Sequence, residues 1–124
     1  MKEKDVLRVV GDMLDLYGWR WWHVPMPVVA ERSGRGFRPY KKAAGLPDIF
    51  AMHADPPRLL ILELKGDGGS LSDAQREFLT LARDVAEWSR DHTTYDDLPN
   101  MAVHVVEPGN LDALKGILQS RVLG

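Results

Sequence analysis

Apolar residues recur at helical spacing along the first seventeen positions. Val6, Val9, Val10, Met13, Leu14 and Tyr17 follow i, i+3, i+4, i+7 steps, which predicts an amphipathic helix, and Gly18 is placed to end it in a left-handed cap. The period then shortens. Trp19 to Val24 reads as a first strand closed by Pro25 and Pro27, with Val28 to Ala30 as an extension. Ser33 to Gly45 holds three glycines and a proline among basic residues and reads as a long, mobile loop. Two apolar runs follow, Ile49-Phe50-Ala51-Met52 and Leu59-Leu60-Ile61-Leu62. The segment between them, His53-Ala54-Asp55-Pro56-Pro57-Arg58, is rich in turn formers, so the runs are predicted to pair as an antiparallel hairpin.

After the flexible turn Gly66-Asp67-Gly68-Gly69, Ser72 is a good N-cap and Gln75 completes a capping box with it. The helix they open puts Phe78, Leu79, Ala82, Val85 and Ala86 on one stripe and runs to about Ser89. Asp91 to Asn100 is a polar loop. Met101 to Val106 is almost continuously apolar, as expected of an interior strand. Pro108-Gly109-Asn110 then turns into a last helix with Leu111, Leu114 and Leu118 inward. The order α-β-β-β-α-β predicts an α/β fold with a mixed central sheet flanked by helices. No internal repeat or low-complexity segment interrupts it.

Length and composition narrow the function classes. A chain of 124 residues makes one domain, residues 1–124, able to bury roughly two-thirds of its unfolded surface. The absence of cysteine excludes disulfides and thiolate metal sites and fits a reducing cytosol. No apolar run has the length of a membrane span, and the charged start Met1-Lys2-Glu3-Lys4-Asp5 leads into no signal-peptide core, so a cytoplasmic protein without a membrane partner is expected. The formal net charge is −2, but charge is uneven. Arg32, Arg35, Arg38, Lys41 and Lys42 face only Glu31 within their stretch, a local surplus suited to phosphate contact.

The chemistry lies at the ends of the two hairpin runs. Asp48 opens the first, and Glu63 and Lys65 close the second. Strand residues i and i+2 share a face, so Glu63 and Lys65 point to one side while Leu62 and Leu64 point into the core. Pairing the strands brings Asp48 next to Glu63. Magnesium takes hard oxygen ligands, commonly one or two protein carboxylates, and leaves other positions to water and phosphate. Such an ion lowers the pKa of a bound water and neutralises charge on a phosphate, and a neighbouring lysine can orient the water or stabilise the phosphorus centre. Two acids and a lysine on one face therefore point to metal-dependent phosphodiester hydrolysis. An ion-paired, solvated Glu-X-Lys strand is the plain alternative.

Three segments carry a family resemblance: Gly45-Leu46-Pro47-Asp48-Ile49, then Leu62-Glu63-Leu64-Lys65, then Leu71-Ser72-Asp73-Ala74-Gln75-Arg76-Glu77-Phe78-Leu79. Together they resemble the virus-type replication-repair nuclease (VRR-NUC) domain of the PD-(D/E)XK nuclease superfamily, from Glu3 to the closing strand and helix around Val103 to Leu118. The resemblance implies a restriction-endonuclease-like αβββαβ core. It also implies a DNA endonuclease in which Asp48 and Glu63 hold magnesium or manganese and Lys65 positions the water. The backbone carbonyl of Leu64 is then a further metal ligand. Glu3 matches an acid that family members carry on the first helix, although they often have a glutamine one turn later, where this chain has Leu7. The resemblance puts Gln75 beside the catalytic lysine, whereas a capping box accounts for it without catalysis.

Small stand-alone relatives are implied to act as homodimers on branched DNA such as four-way junctions, in phage and bacterial replication and repair. A non-cutting nucleic-acid-binding or scaffold protein with the same fold is the rival class. Trp19, Trp21 and Trp22 are dense for one strand, with Trp22 on the opposite face from the other two. They fit a core, a subunit interface or base stacking. The four histidines lack ligand spacing, and His53 is expected to be structural.

Overall fold

The computed structural model describes residues 1–24, 30–33, 36–39, 45–92 and 100–123, with backbone only for 30–33, 36–39 and 92. Its elements in chain order are α1 (Glu3–Leu16), β1 (Arg20–His23), β2 (Ala30–Ser33), β3 (Gly36–Pro39), β4 (Ile49–Ala54), β5 (Pro57–Leu64), α2 (Asp73–His92), β6 (Asn100–Val106), a 3-10 turn at Pro108–Asn110, and α3 (Leu111–Gln119). The fold is α/β. A four-stranded mixed sheet in the order β1-β4-β5-β6 is flanked by helices, consistent with a restriction-endonuclease-like core. The β1–β4 and β4–β5 pairs are antiparallel, and β5–β6 is parallel.

The predicted periodicities become two packed layers. One face of the sheet meets α1 and α3 through Val6, Val10, Leu14, Ile49, Ala51, Leu60, Leu62, Leu64, Leu114 and Leu118. The other meets α2 through Ile61, Val103, Leu79 and Ala82. β5 is buried on both faces between them, which explains its unbroken apolar run. Gly18 takes φ +80° after α1, the left-handed conformation expected of it.

Several boundaries differ from the sequence reading. The hairpin turn is tighter than the six residues suggested, because His53 and Ala54 pair with Arg58 and Pro57 within the ladder. The stretch that reads as one long loop contains the β2–β3 hairpin, which forms a separate two-stranded sheet; Ala30 opens β2 and does not extend β1. α2 continues past Ser89 to His92. Val85 leaves the buried stripe and is 56% exposed. Most instructive is β6, which borders the sheet among the described residues although it reads as interior. Its continuous apolarity arises because Met101, Val103 and Val105 face α2 while Ala102 and Val106 face the other layer.

Candidate active site

Asp48 is fixed through its backbone between two strands. Its amide donates to the Leu62 carbonyl at 3.1 Å, and its carbonyl accepts from the Val24 amide at 2.7 Å. Its side-chain Oδ2 accepts from the Leu64 amide at 2.7 Å, tying the carboxylate to the end of β5. The approach to Asp48 depends on Gly45. This residue has φ +91°, and a Cβ there would stand 2.5 Å from the Ala74 carbonyl oxygen in the first turn of α2. Only glycine permits both the conformation and the close approach. The Gly-X-Pro-Asp segment is thereby locked against the helix that carries Gln75.

Glu63 is 1% exposed and lies on the face of β5 that meets α2. Its Oε1 accepts from Gln75 Nε2 at 2.9 Å and stands 3.7 Å from Lys65 Nζ. Its Oε2 is buried without a hydrogen-bond partner. Burial first, and then the adjacent Asp48 carboxyl and its charge, push the Glu63 pKa up to about 8; Lys65 opposes the shift and Glu3 adds to it.

Lys65 continues the parallel ladder, its amide donating to the Val106 carbonyl at 2.8 Å. Its ammonium donates to Gln75 Oε1 at 3.0 Å. The same oxygen accepts from the Ser72 amide at 2.9 Å, while the Gln75 amide donates to Ser72 Oγ at 3.1 Å. The capping box and the bond to the lysine are thus one arrangement. The cap fixes the Gln75 side chain so that its oxygen meets Lys65 and its nitrogen meets Glu63.

Glu3 reaches the same place from the start of α1. A Cβ on Gly66 would lie 2.6 Å from the Glu3 amide nitrogen, so a glycine after β5 lets the helix come this close. One carboxylate oxygen from each of Glu3, Asp48 and Glu63 lies within 4.8 Å of the other two. This set suits a hard divalent cation: three oxygen donors from three elements, with the buried, unpartnered Glu63 Oε2 among the atoms available. Leu64 sits between Glu63 and Lys65 at the same strand end, so its carbonyl belongs to this corner of the fold.

A cavity of about 470 Å³ adjoins the cluster, lined by Met1, Lys2, Glu3, Lys65, Gly66, Asp67 and Gly69. Lys2 therefore faces the same space as Lys65. The sequence reading missed it because nothing local relates residue 2 to residue 65. Of the expected phosphate contacts, Arg32 lies on β2 and Arg38 on β3, paired with Phe37 and Glu31 respectively. Arg35, Lys41 and Lys42 fall outside the described residues.

Two of the three clustered tryptophans are used inside the domain. Trp19 is 3% exposed and donates from Nε1 to the Leu118 carbonyl at 3.0 Å, so it does not serve a subunit interface. The Trp21 indole donates to Asp15 Oδ1 at 2.8 Å and packs against Gly11, where a Cβ would stand 2.8 Å from the ring. His53 is structural as expected. Its ring meets Trp19 edge-on at 5.4 Å, and its Nδ1 accepts from the Asp55 amide at 3.2 Å. The buried Arg58 guanidinium lies 4.8 Å from the Trp19 ring centre and donates to the carbonyls of Pro56, Asp55 and Ser120.

Compared with models of known protein families and with curated proteins, the chain matches none. Among the described residues, no helix is long and apolar enough to cross a membrane.

Proposed function

We propose that this chain is a divalent-metal-dependent DNA endonuclease of the VRR-NUC type, within the PD-(D/E)XK superfamily. The observation that carries the reading is the convergence of Glu3, Asp48 and Glu63 beside a lysine held by Gln75. Asp48, Glu63 and the Leu64 carbonyl would hold magnesium or manganese, with Glu3 completing the set. When bound, the ion supplies a water of lowered pKa and neutralises charge on the scissile phosphate. Lys65 presents its remaining ammonium donors to the attacking water and the phosphoryl oxygens. Gln75 keeps that ammonium from folding fully onto Glu63, since its carbonyl oxygen is the nearer partner at 3.0 Å against 3.7 Å. Lys2 and the basic segment with Arg32, Arg35, Arg38, Lys41 and Lys42 bind phosphate.

The substrate in this reading is branched DNA, four-way junctions above all, because shape and phosphate placement can be recognised without a base-reading domain. A homodimer presents two equivalent sites to a junction that needs two nicks. Leu81 and Val85, one turn apart on α2 and 60% and 56% exposed, replace Trp19 as apolar surface for the second copy. The setting is the cytoplasm of a bacterium or of a phage-infected host. Nicking of supercoiled plasmid with magnesium, manganese or EDTA tests the core of the proposal. Metal-dependent nicking that is lost in Asp48→Ala is expected, and equal nicking by the variant refutes it.

A further inference from the structure

Trp22 stands apart from its two neighbours. The residue is 51% exposed on β1, which borders the sheet among the described residues, whereas Trp19 and Trp21 are committed to hydrogen bonds within the chain. Register fixes the side of the sheet it occupies. Trp22 pairs with Phe50, and Phe50 pairs with Ile61, so the three form one row on the face that α2 covers farther along. Glu63 is two residues beyond Ile61 on the same strand and therefore on the same face. The row containing Glu63 continues to Asp48 and then to Val24, whose amide donates to the Asp48 carbonyl. Trp22 thus lies one row from the carboxylate cluster and two strands across. Strand spacing and rise put the two Cα positions on the order of 12 Å apart.

The surroundings of Trp22 form a small platform. Met52 follows Phe50 by two residues on the same face and is 48% exposed. Arg20 pairs with Met52 and is exposed, adding a guanidinium at the end away from the acids. A flat indole, a polarisable thioether and a cation in line with a phosphodiester-cleaving site suit an unpaired base and its phosphate.

We propose that Trp22 is a stacking subsite for an unpaired nucleobase of the substrate strand, next to the cleavage centre, with Arg20 on the adjoining phosphate. This rests on the DNA-cleaving reading and names what the site recognises: a strand whose bases are unstacked at a branch point. The role is one of specificity; the indole touches no reacting atom.

The test combines protein and substrate changes. Labelled four-way junctions carrying a single abasic residue, scanned through the branch point, are bound in EDTA by the wild type, Trp22→Phe and Trp22→Ala. With an intact junction, Trp22→Ala should bind about ten- to hundred-fold more weakly, and Trp22→Phe should retain most of the affinity. At one position an abasic residue should weaken the wild type by a similar factor and cost Trp22→Ala nothing more. Thermal melting of each variant checks that it is folded. Unchanged binding by folded Trp22→Ala overturns the proposal, as do losses that multiply at every position. A fall in sedimenting mass in Trp22→Ala overturns it too, because the face is then a subunit contact. Cutting assays in magnesium separate the two readings. Binding with the coupling but no cutting removes the nuclease reading and leaves the stacking subsite, whereas cutting without coupling does the reverse. Failure of the wild type to bind DNA at all overturns both.

Discussion

Replacing Glu63 with glutamine should stabilise the metal-free protein at neutral and alkaline pH, although it removes a proposed metal ligand. The buried carboxyl keeps its proton up to a pKa of about 8, against 4.5 for the ordinary group. Between those values the folded state binds a proton that the unfolded state has released, so stability falls as pH rises, by about 1.4 kcal/mol per unit. The loss is absent below about pH 4.5, grows through neutral pH and levels off above about pH 8, a few kcal/mol in all. Glutamine reproduces the protonated acid. Its oxygen can keep the bond from Gln75 Nε2, and it carries no charge that burial would penalise at any pH. Urea denaturation of both proteins in EDTA from pH 4.5 to 9 measures the effect. The curves should lie close together at the acid end and diverge by a few kcal/mol in favour of Glu63→Gln at the alkaline end. Magnesium should raise the midpoint of the wild type at pH 8 and not that of the variant. Parallel curves, or a variant less stable throughout, would refute a buried carboxyl held neutral by its surroundings.

Lys65→Ala should lower the cleavage rate by about a hundred-fold or more while leaving magnesium binding within a few-fold, measured by single-turnover cleavage and calorimetry; wild-type activity in this variant would sink the assignment. Gly45→Ala should cost more than about 3 kcal/mol, since a positive-φ backbone and a 2.5 Å approach to the Ala74 carbonyl both oppose a Cβ. A melting curve superimposable on wild type would contradict that packing. Changing Arg35, Arg38, Lys41 and Lys42 together to alanine should flatten the salt dependence of DNA affinity by about 0.9 in log–log slope for each phosphate that the variant no longer neutralises; an unchanged slope means that the DNA runs elsewhere. Leu81→Lys with Val85→Lys should shift sedimentation from dimer to monomer at micromolar concentration, and an unchanged mass rules out that interface.

Much of the fold is legible in short windows because the forces that set it are local. The helical spacing of Val6, Val10 and Leu14 makes α1, and the two apolar runs around Ile49 and Ile61, joined by turn formers, make the hairpin. Ser72 and Gln75 define the start of α2 through bonds three residues apart. The β2–β3 hairpin was hidden because glycines between basic residues read as loop, although only two residues separate Ser33 from Gly36. The place of β6 could not be read at all. Apolar residues on both faces report helices above and below a strand and say nothing of its lateral neighbours.

The candidate site divides in the same way. The sequence alone determined which side chains are available: Asp48, Glu63 and Lys65 at strand ends, and Gln75 three residues into a capped helix turn. Only the tertiary structure decided that Glu3 joins them, that Lys2 shares their cavity, and that Glu63 is buried deeply enough to hold a proton near pH 8. It also decided that Trp19 is buried, Trp21 half-buried and Trp22 exposed. Hydrogen bonds and periodicity act over a few residues and leave a trace in the chain. Burial and electrostatic coupling depend on groups sixty residues apart meeting in space, and that meeting is settled when α1 and α2 close on opposite faces of one sheet.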